Sequence, residues 1–480
     1  MSFATMAEAF ANIGEDFSLT PFDTILQPLL EETLQEQGHH KWRKGTILTP
    51  KVLVWLVLVL TLRRDLNYDK AFNWMLSGLR WLKDLLPARH KLVEDGAISH
   101  ARVKLGVPVF QVLFTKLAAY CRPLPTDFHG RCSVAFDGST GTLPDTAANR
   151  AAFGQPPARR GSAAFPQVRL MALLGVAHRV LLAVACAPYR GKGTGERALL
   201  LEILSGLGCQ GLLFLLDAGL YSVELLWHIR QRHGEFIVKM PAQAQPKLLK
   251  RLPDGSWLAE LTGKMPDPER PPTKNGRQHW QTVSLTVRII RLEIPGFRPF
   301  RLLTNLLDPS INAREIALQY HRRWDIEIAY DEIKTHQCVT LRGQSPTTFR
   351  SKRPDLVKQE VYALAIMYNL IRLLIRQAAE AHAQDPGAIS FLDALQHMID
   401  AAPLLTACPP EQREQKYQTL LVVLADCVLD RPRRARLNPR VIKVKMSNWT
   451  RKNATHKSET RDIAKELKII DVQPTGLPAT

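Results

Sequence analysis

The sequence predicts an α/β fold: a strand-and-helix core carrying a β-rich insertion, flanked by N- and C-terminal helical regions. Three observations lead there. From about residue 131, apolar runs of strand length at 133–136, 168–174, 180–185 and 212–216 alternate with segments of helical spacing. Between about 241 and 300, Asp254-Gly255 is a hairpin turn signal, and Val283, Leu285, Val287 and Ile289 alternate with other residues as on a one-sided strand. Before about 128 and beyond about 346, apolar residues recur at helical intervals. The expected organisation is a helical domain over 1–128, a core with its insertion over 129–345, and a helical region over 346–480.

The N-terminal stretch MSFATMAEAFANIGEDF lacks a signal-peptide layout. The longest apolar run, Val52 to Leu62, is broken only by Thr61 and is too short to span a bilayer. It reads as a core helix, with Thr49 as N-cap and Pro50 in the first helical position. Asp69 to Leu82 also has helical spacing. Ser99 to Leu105 and Pro108 to Tyr120 form a helix pair broken at Gly106, with His100, Arg102 and Lys104 on the first helix. A DNA-reading helix-turn-helix and an ordinary helical hairpin both fit this pattern, and the hairpin is the simpler reading.

In the core, Ser133 to Phe136 predicts a strand ending at Asp137, where Gly138 and Ser139 turn the chain. The continuous apolar run Leu212 to Leu216 predicts a central strand covered on both faces and ending at Asp217. Helices are expected over Gly195–Leu207 and Ser222–Arg232, and a short strand over Phe236–Lys239. Gly191 to Gly195 lacks Walker spacing and reads as a loop before a helix. Asp145, Asn149 and Arg150 brace the first aspartate, touch a ligand, or form a plain loop.

The stretch Tyr320 to Lys334, YHRRWDIEIAYDEIK, holds Tyr320, Arg323, Glu327 and Lys334. On an ideal helix these four fall within a wedge of ~60°. A hydroxyl, two cations and a carboxylate on one face suit a phosphate backbone held beside a metal ion. Two aspartates at strand ends plus one helical glutamate make a hard-oxygen site, suited to Mg²⁺ or Mn²⁺ rather than zinc. Taken singly, Asp137 reads as a turn residue, Asp217 as a helix cap and Glu327 as a surface partner of Arg323. Asp325, Asp331 and Glu332 are rival acids on the same segment.

Tyr-x2-Arg-x3-Glu-x6-Lys resembles the signature of DDE transposases of the insertion-sequence-four family, and every position matches. Asp137-Gly-Ser with the downstream Leu-Pro-Asp and Ala-Asn-Arg-Ala-Ala-Phe-Gly resembles the family's first aspartate block. Asp217-x-Gly-x-Tyr-Ser resembles its second, with Ala218 where many members carry a polar residue. LRGQSP at 341–346 resembles a further block, from which Gly343 and Gln344 depart. The resemblance runs from roughly 18 to 452. It implies an RNase H-like core and an N-terminal domain that helps bind transposon ends. It further implies that Asp137, Asp217 and Glu327 hold two divalent ions, Mg²⁺ or Mn²⁺, and that Tyr320, Arg323 and Lys334 contact DNA. The implied reaction is cleavage and strand transfer at the terminal inverted repeats of the chain's own insertion element, by a homodimer in a synaptic complex on double-stranded DNA. A joining-deficient nuclease and a domesticated DNA-binding protein are the alternatives.

Composition agrees. With 64 Lys+Arg against 45 Asp+Glu, the formal charge is +19, as for a polyanion partner. Residues 431–452 carry nine cations and no acid, among them Arg433, Arg434, Arg440, Lys443 and Lys445, and read as a DNA-contacting tail. Seven scattered cysteines without a CxxC pair read as reduced thiols of a cytoplasmic protein. No membrane partner is expected.

Overall fold

The computed structural model describes residues 22–39, 47–75, 93–122, 124–157, 165–191, 193–267, 269–270, 278–295, 297–337, 349–429 and 462–472, with a few isolated positions besides. Five helices come first: α1 (Asp23–Glu36), α2 (Pro50–Leu62), α3 (Tyr68–Met75), α4 (Asp95–Leu105) and α5 (Pro108–Tyr120). Then follow β1 (Cys132–Thr142), α6 (Ala147–Phe153), β2 (Gln167–Gly175), β3 (Val180–Pro188), α7 (Glu196–Ser205), β4 (Leu212–Leu216), α8 (Val223–Gln231) and β5 (Glu235–Met240). Strands β6 (Lys247–Arg251), β7 (Trp257–Pro266), β8 (Trp280–Glu293) and β9 (Phe300–Thr304) lead to α9 (Ala313–His321) and α10 (Asp325–Asp331). The chain continues through α11 (Pro354–Ala381), α12 (Phe391–Ala407), α13 (Pro410–Asp426), α14 (Ile463–Glu466) and β10 (Lys468–Ile470).

Two units share these elements. One holds residues 1–124, 138–199 and 326–429; the other holds 125–137, 200–325 and 430–480. Strand β1 passes from the second unit into the first at Asp137.

In the first unit the second half of β1 leads to the strand order β1-β2-β3. Helix α11 is the central element and packs against α2, α5, β3 and α13. It is long and apolar enough to span a membrane, but 89% of its apolar window is buried inside the protein, the situation of a core helix. Four buried polar residues, Gln359, Glu360, Asn369 and Arg372, interrupt its apolar face, and the last two show the work such residues do. Asn369, fully buried, accepts from the Leu181 amide at 2.7 Å and donates to the Leu181 carbonyl at 2.8 Å, completing β3 where no strand follows in the order. Arg372 enters an ion cluster described below. Helix α2 begins as expected, with Thr49 accepting from the Val52 amide and Pro50 in the first turn. Helices α4 and α5 meet at a 66° bend. Arg102 on α4 is fully buried and donates to Gln359, Tyr68 and the Leu356 carbonyl. Arg102 is therefore spent on α11 and is not available to read bases.

In the second unit the first half of β1 pairs in parallel with β4, and β4 in parallel with β5. Strands β9, β8, β7 and β6 then extend the sheet in antiparallel fashion, and β10 pairs with β8. Together with β1-β2-β3, the β1-β4-β5 order is that of an RNase H-like core, and β6 to β9 are the β-rich insertion.

One expectation fails. Strand β1 does not end at Asp137; it runs on through Gly138 and Ser139 to Thr142. Gly138 is no turn residue. A Cβ there would lie 2.5 Å from the Glu196 carboxylate, so a larger residue would make that side chain shift. Gly141 likewise faces the Phe349 ring.

Candidate active site

The β1–β4 register runs as far as Ala135 opposite Leu215. Two residues further on each strand stand Asp137 and Asp217. An unbroken continuation of that parallel register would bring the two side by side. Both carboxylates are partly buried. Asp217 precedes a 3-10 turn, Ala218–Leu220, but its side chain makes no capping bond; Ser222 caps α8 instead, accepting from the Leu225 amide at 3.1 Å. The helix-cap reading of Asp217 therefore falls away.

The signature segment is not one ideal helix. It passes from α9 through a 3-10 turn, Arg322–Trp324, into α10 and then a π-helix, Glu332–Gln337. The ~60° wedge of an unbroken α-helix is thus not what the chain builds, because both interruptions are fixed by side-chain anchors. At the first, Asp127 accepts from Arg322 at 2.6 Å, from Gln319 at 3.3 Å and from the Ser133 amide at 2.8 Å. Gln319 also donates to Ser133 Oγ at 2.6 Å. The 3-10 turn packs beside β4. Tyr320 and Arg323 are both buried, and the Arg323 guanidinium lies 4.9 Å from the ring centre of Trp324, which is exposed. At the second interruption Lys334 donates to Ser139 Oγ at 3.2 Å, two residues beyond Asp137 on the same strand and face.

The rival acids are accounted for. Glu332 is buried and paired with Arg372, with Arg179 at 3.8 Å and the Tyr368 hydroxyl donating at 3.1 Å. Asp325 is 1% exposed, 3.9 Å from Arg322. Asp331 is exposed and accepts from Thr335 at 2.7 Å. Glu327 on α10 is partly buried. Asn149 is buried and donates to the Pro144 and Ser351 carbonyls, so it braces a loop. Arg150 and Asp145 pair at 3.2 Å.

Local pattern gave no sign of Asp127, whose role depends on residues almost two hundred positions away. Among the described residues, no three His, Cys, Asp or Glu side chains are gathered into a ready metal cluster. Asp137 and Asp217 belong to one unit, Glu327 and Lys334 to the other. Arg433, Arg434, Arg440, Lys443 and Lys445 lie outside the described residues, as does 341–346. Downstream of the basic stretch, α14 and β10 return to the sheet. Arg314 on α9 donates to the Leu467 carbonyl at 2.5 Å, and Asp471 pairs with Arg251 at 2.8 Å.

The family model "Transposase DDE domain" matches residues 128–370, more than half of the chain. The chain belongs to the DDE transposase family. The model "Insertion element 4 transposase N-terminal" matches residues 18–115. A relative, "Transposase InsG for insertion sequence element IS4" of Escherichia coli strain K12, is 27% identical over 451 residues, covering 92% of this chain and 95% of its own length. "Putative transposase InsZ" of the same organism is 29% identical over 145 residues, 29% of this chain and 47% of that one. Among solved structures, a piggyBac transposase synaptic complex with hairpin DNA overlays with a TM-score of 0.43 at 8% identity, covering 85% of this chain and 84% of that one. This DDE transposase is of the insertion element 4 type, an enzyme that cuts DNA, transfers strands and uses divalent metal.

Proposed function

We propose that this transposase cuts and joins DNA at the terminal inverted repeats of its own insertion element, with Asp137, Asp217 and Glu327 as the metal ligands. What supports the reading is the full Tyr320, Arg323, Glu327 and Lys334 spacing within the matched transposase domain, with one hydrogen bond from the segment to β1 inside each unit. Gln319 meets Ser133, and Lys334 meets Ser139. Asp137 stands between those two serines on that face. Glu327 stands between Gln319 and Lys334 along the segment. Neighbouring Asp217 comes from the register of β4.

The donor set fits hard divalent ions: carboxylate oxygens, partly buried, with no thiolate or imidazole required. Two bound Mg²⁺ or Mn²⁺ ions would activate the attacking oxygen and stabilise the leaving oxygen of an in-line displacement. The chain's own residues position the DNA. Lys334, carried to within reach of the Asp137 face, grips a phosphate. Arg323 and Tyr320 bind the backbone beside it, the guanidinium fork of Arg323 matching phosphate oxygens. The +19 charge supplies the sequence-independent attraction. The basic stretch at 431–452 extends the contact. Action as a DNA-bound homodimer, in the cytoplasm, follows from the family alone.

The test is cleavage of a duplex carrying the gene's own flanking repeats, with Mg²⁺, Mn²⁺ or EDTA, following nicking and joining separately. Metal-dependent cleavage at the repeat tip followed by joining is the expected result. Cleavage without joining makes it a nuclease, and binding without cleavage a domesticated binding protein.

A further inference from the structure

The π-helix Glu332–Gln337 is pinned at both ends to α11. At one end Glu332, 2% exposed, is paired with Arg372 and accepts from the Tyr368 hydroxyl. At the other, Gln337, also 2% exposed, donates to the Leu364 carbonyl at 3.2 Å. Lys334 sits between these anchors, about half a turn round from Glu332, and meets Ser139 on β1.

The cluster at Glu332 is an expensive way to hold a helix. Two arginines, Arg372 and Arg179, share one carboxylate in a site where all three side chains are at most 3% exposed. Desolvating such a set gains little over apolar packing of the same volume. Arg179 moreover holds a positive φ of 53° in the β2–β3 turn, a region that side chains with a Cβ rarely adopt. Strain and buried charge at one point of the fold ask for a reason other than stability. A π-turn is itself an unfavourable insertion that persists where a side chain must be re-aimed.

We infer that Glu332, Arg372 and Arg179 are positioning residues for Lys334: the cluster fixes the π-turn that delivers the Lys334 ammonium to Ser139, beside Asp137 on β1. The inference rests on the proposed reading of Lys334 as a phosphate contact. The three cluster residues pair among themselves and are assigned no contact with DNA of their own.

The experiment measures equilibrium binding to a terminal-repeat duplex across a salt series in EDTA, and cleavage in Mg²⁺. The proteins are wild type, Lys334→Ala, Arg179→Met, Tyr368→Phe and the double variant Arg179→Met with Lys334→Ala. Losing one phosphate contact lowers the log–log salt slope by about 0.9. Lys334→Ala is expected to show that loss. Arg179→Met is expected to reproduce it without removing any DNA-facing group, and the double variant to lose no more than Lys334→Ala alone. Tyr368→Phe, the milder change at Glu332, covers the case in which Arg179→Met does not fold, and is expected to lower cleavage several-fold with a partial loss of slope. A purely structural cluster would lower the unfolding temperature and leave the slope and the cleavage per folded molecule at wild-type values; that result overturns the inference. An unchanged slope and unchanged cleavage in Lys334→Ala would instead overturn the reading of Lys334 on which it stands.

Discussion

Asp217 closes β4 and caps nothing, while the serine five residues later does the capping. In the proposed function Asp217 is a ligand of a hard divalent cation. Asp217→Asn is therefore expected to lower cleavage by more than ~100-fold, the cost of losing a metal ligand being at least that of losing an outer-shell partner. Affinity for the terminal repeat in EDTA should stay within a few-fold, measured by gel shift. At this scale the sequence was legible where a motif spans a short stretch. Asp137, Asp217 and Glu327 stand out by order and spacing. Glu332 could not be told from Glu327 locally, because the arginine that claims it lies forty residues on.

Among elements, α9 shows how a site helix is held from outside itself. Arg288 on β8, fully buried, donates to the Asp308 and Ile311 carbonyls at 3.1 and 2.8 Å and to Ser256, and pairs with Asp254. Asp254 in turn accepts from the Ala313 amide at 2.8 Å, at the first residue of α9. The β-rich insertion thus seats the helix that bears Tyr320. Arg288→Met breaks a buried pair and leaves three acceptors unserved. A loss on the order of 3–5 kcal/mol is expected by urea unfolding. Acid should find the same joint. Burial works to raise the Asp254 pKa, but hydrogen bonds from Ser256 and the Ala313 amide, with Arg288, hold it below the usual carboxylate value. Its stabilisation is then complete above the unfolded-state pKa, near 4, and is lost as pH falls through the lower folded value. Between pH 5 and 3 the stability of Asp254→Asn should fall less steeply than that of wild type. The strand pattern predicted β4, β5 and the hairpin signal correctly. It missed the continuation of β1, since Asp-Gly-Ser has turn composition. It missed the 3-10 and π interruptions because their anchors are distant in sequence.

Over the whole molecule, the division into units cuts across sequence order. Residues 138–199 belong with the helices of both ends, and 125–137 with the insertion. No composition shift announces this, because β1 and the signature segment each serve both units. The C-terminal strand is a second case. Residues 462–472 dock on β8 and on Arg314, a pairing that three apolar or charged residues per strand cannot declare from sequence. Removing residues 462–480 takes away the acceptors of Arg314 and a partner of β8. The truncated chain is expected to unfold several degrees lower in calorimetry, with its repeat-tip cleavage reduced through α9. The net charge, by contrast, was legible at once and gave the partner class without any structure.

The measurement that bears most directly on the central claim compares Glu327→Gln with Asp331→Asn for Mg²⁺-dependent cleavage of the terminal-repeat duplex, both checked for binding in EDTA. Glu327→Gln should bind and not cleave, while Asp331→Asn, whose acid is exposed and bonded to Thr335, should cleave within about twofold of wild type, as surface changes away from a site do. Cleavage that survives in Glu327→Gln and disappears in Asp331→Asn would contradict the assignment of the third ligand and, with it, the site built here.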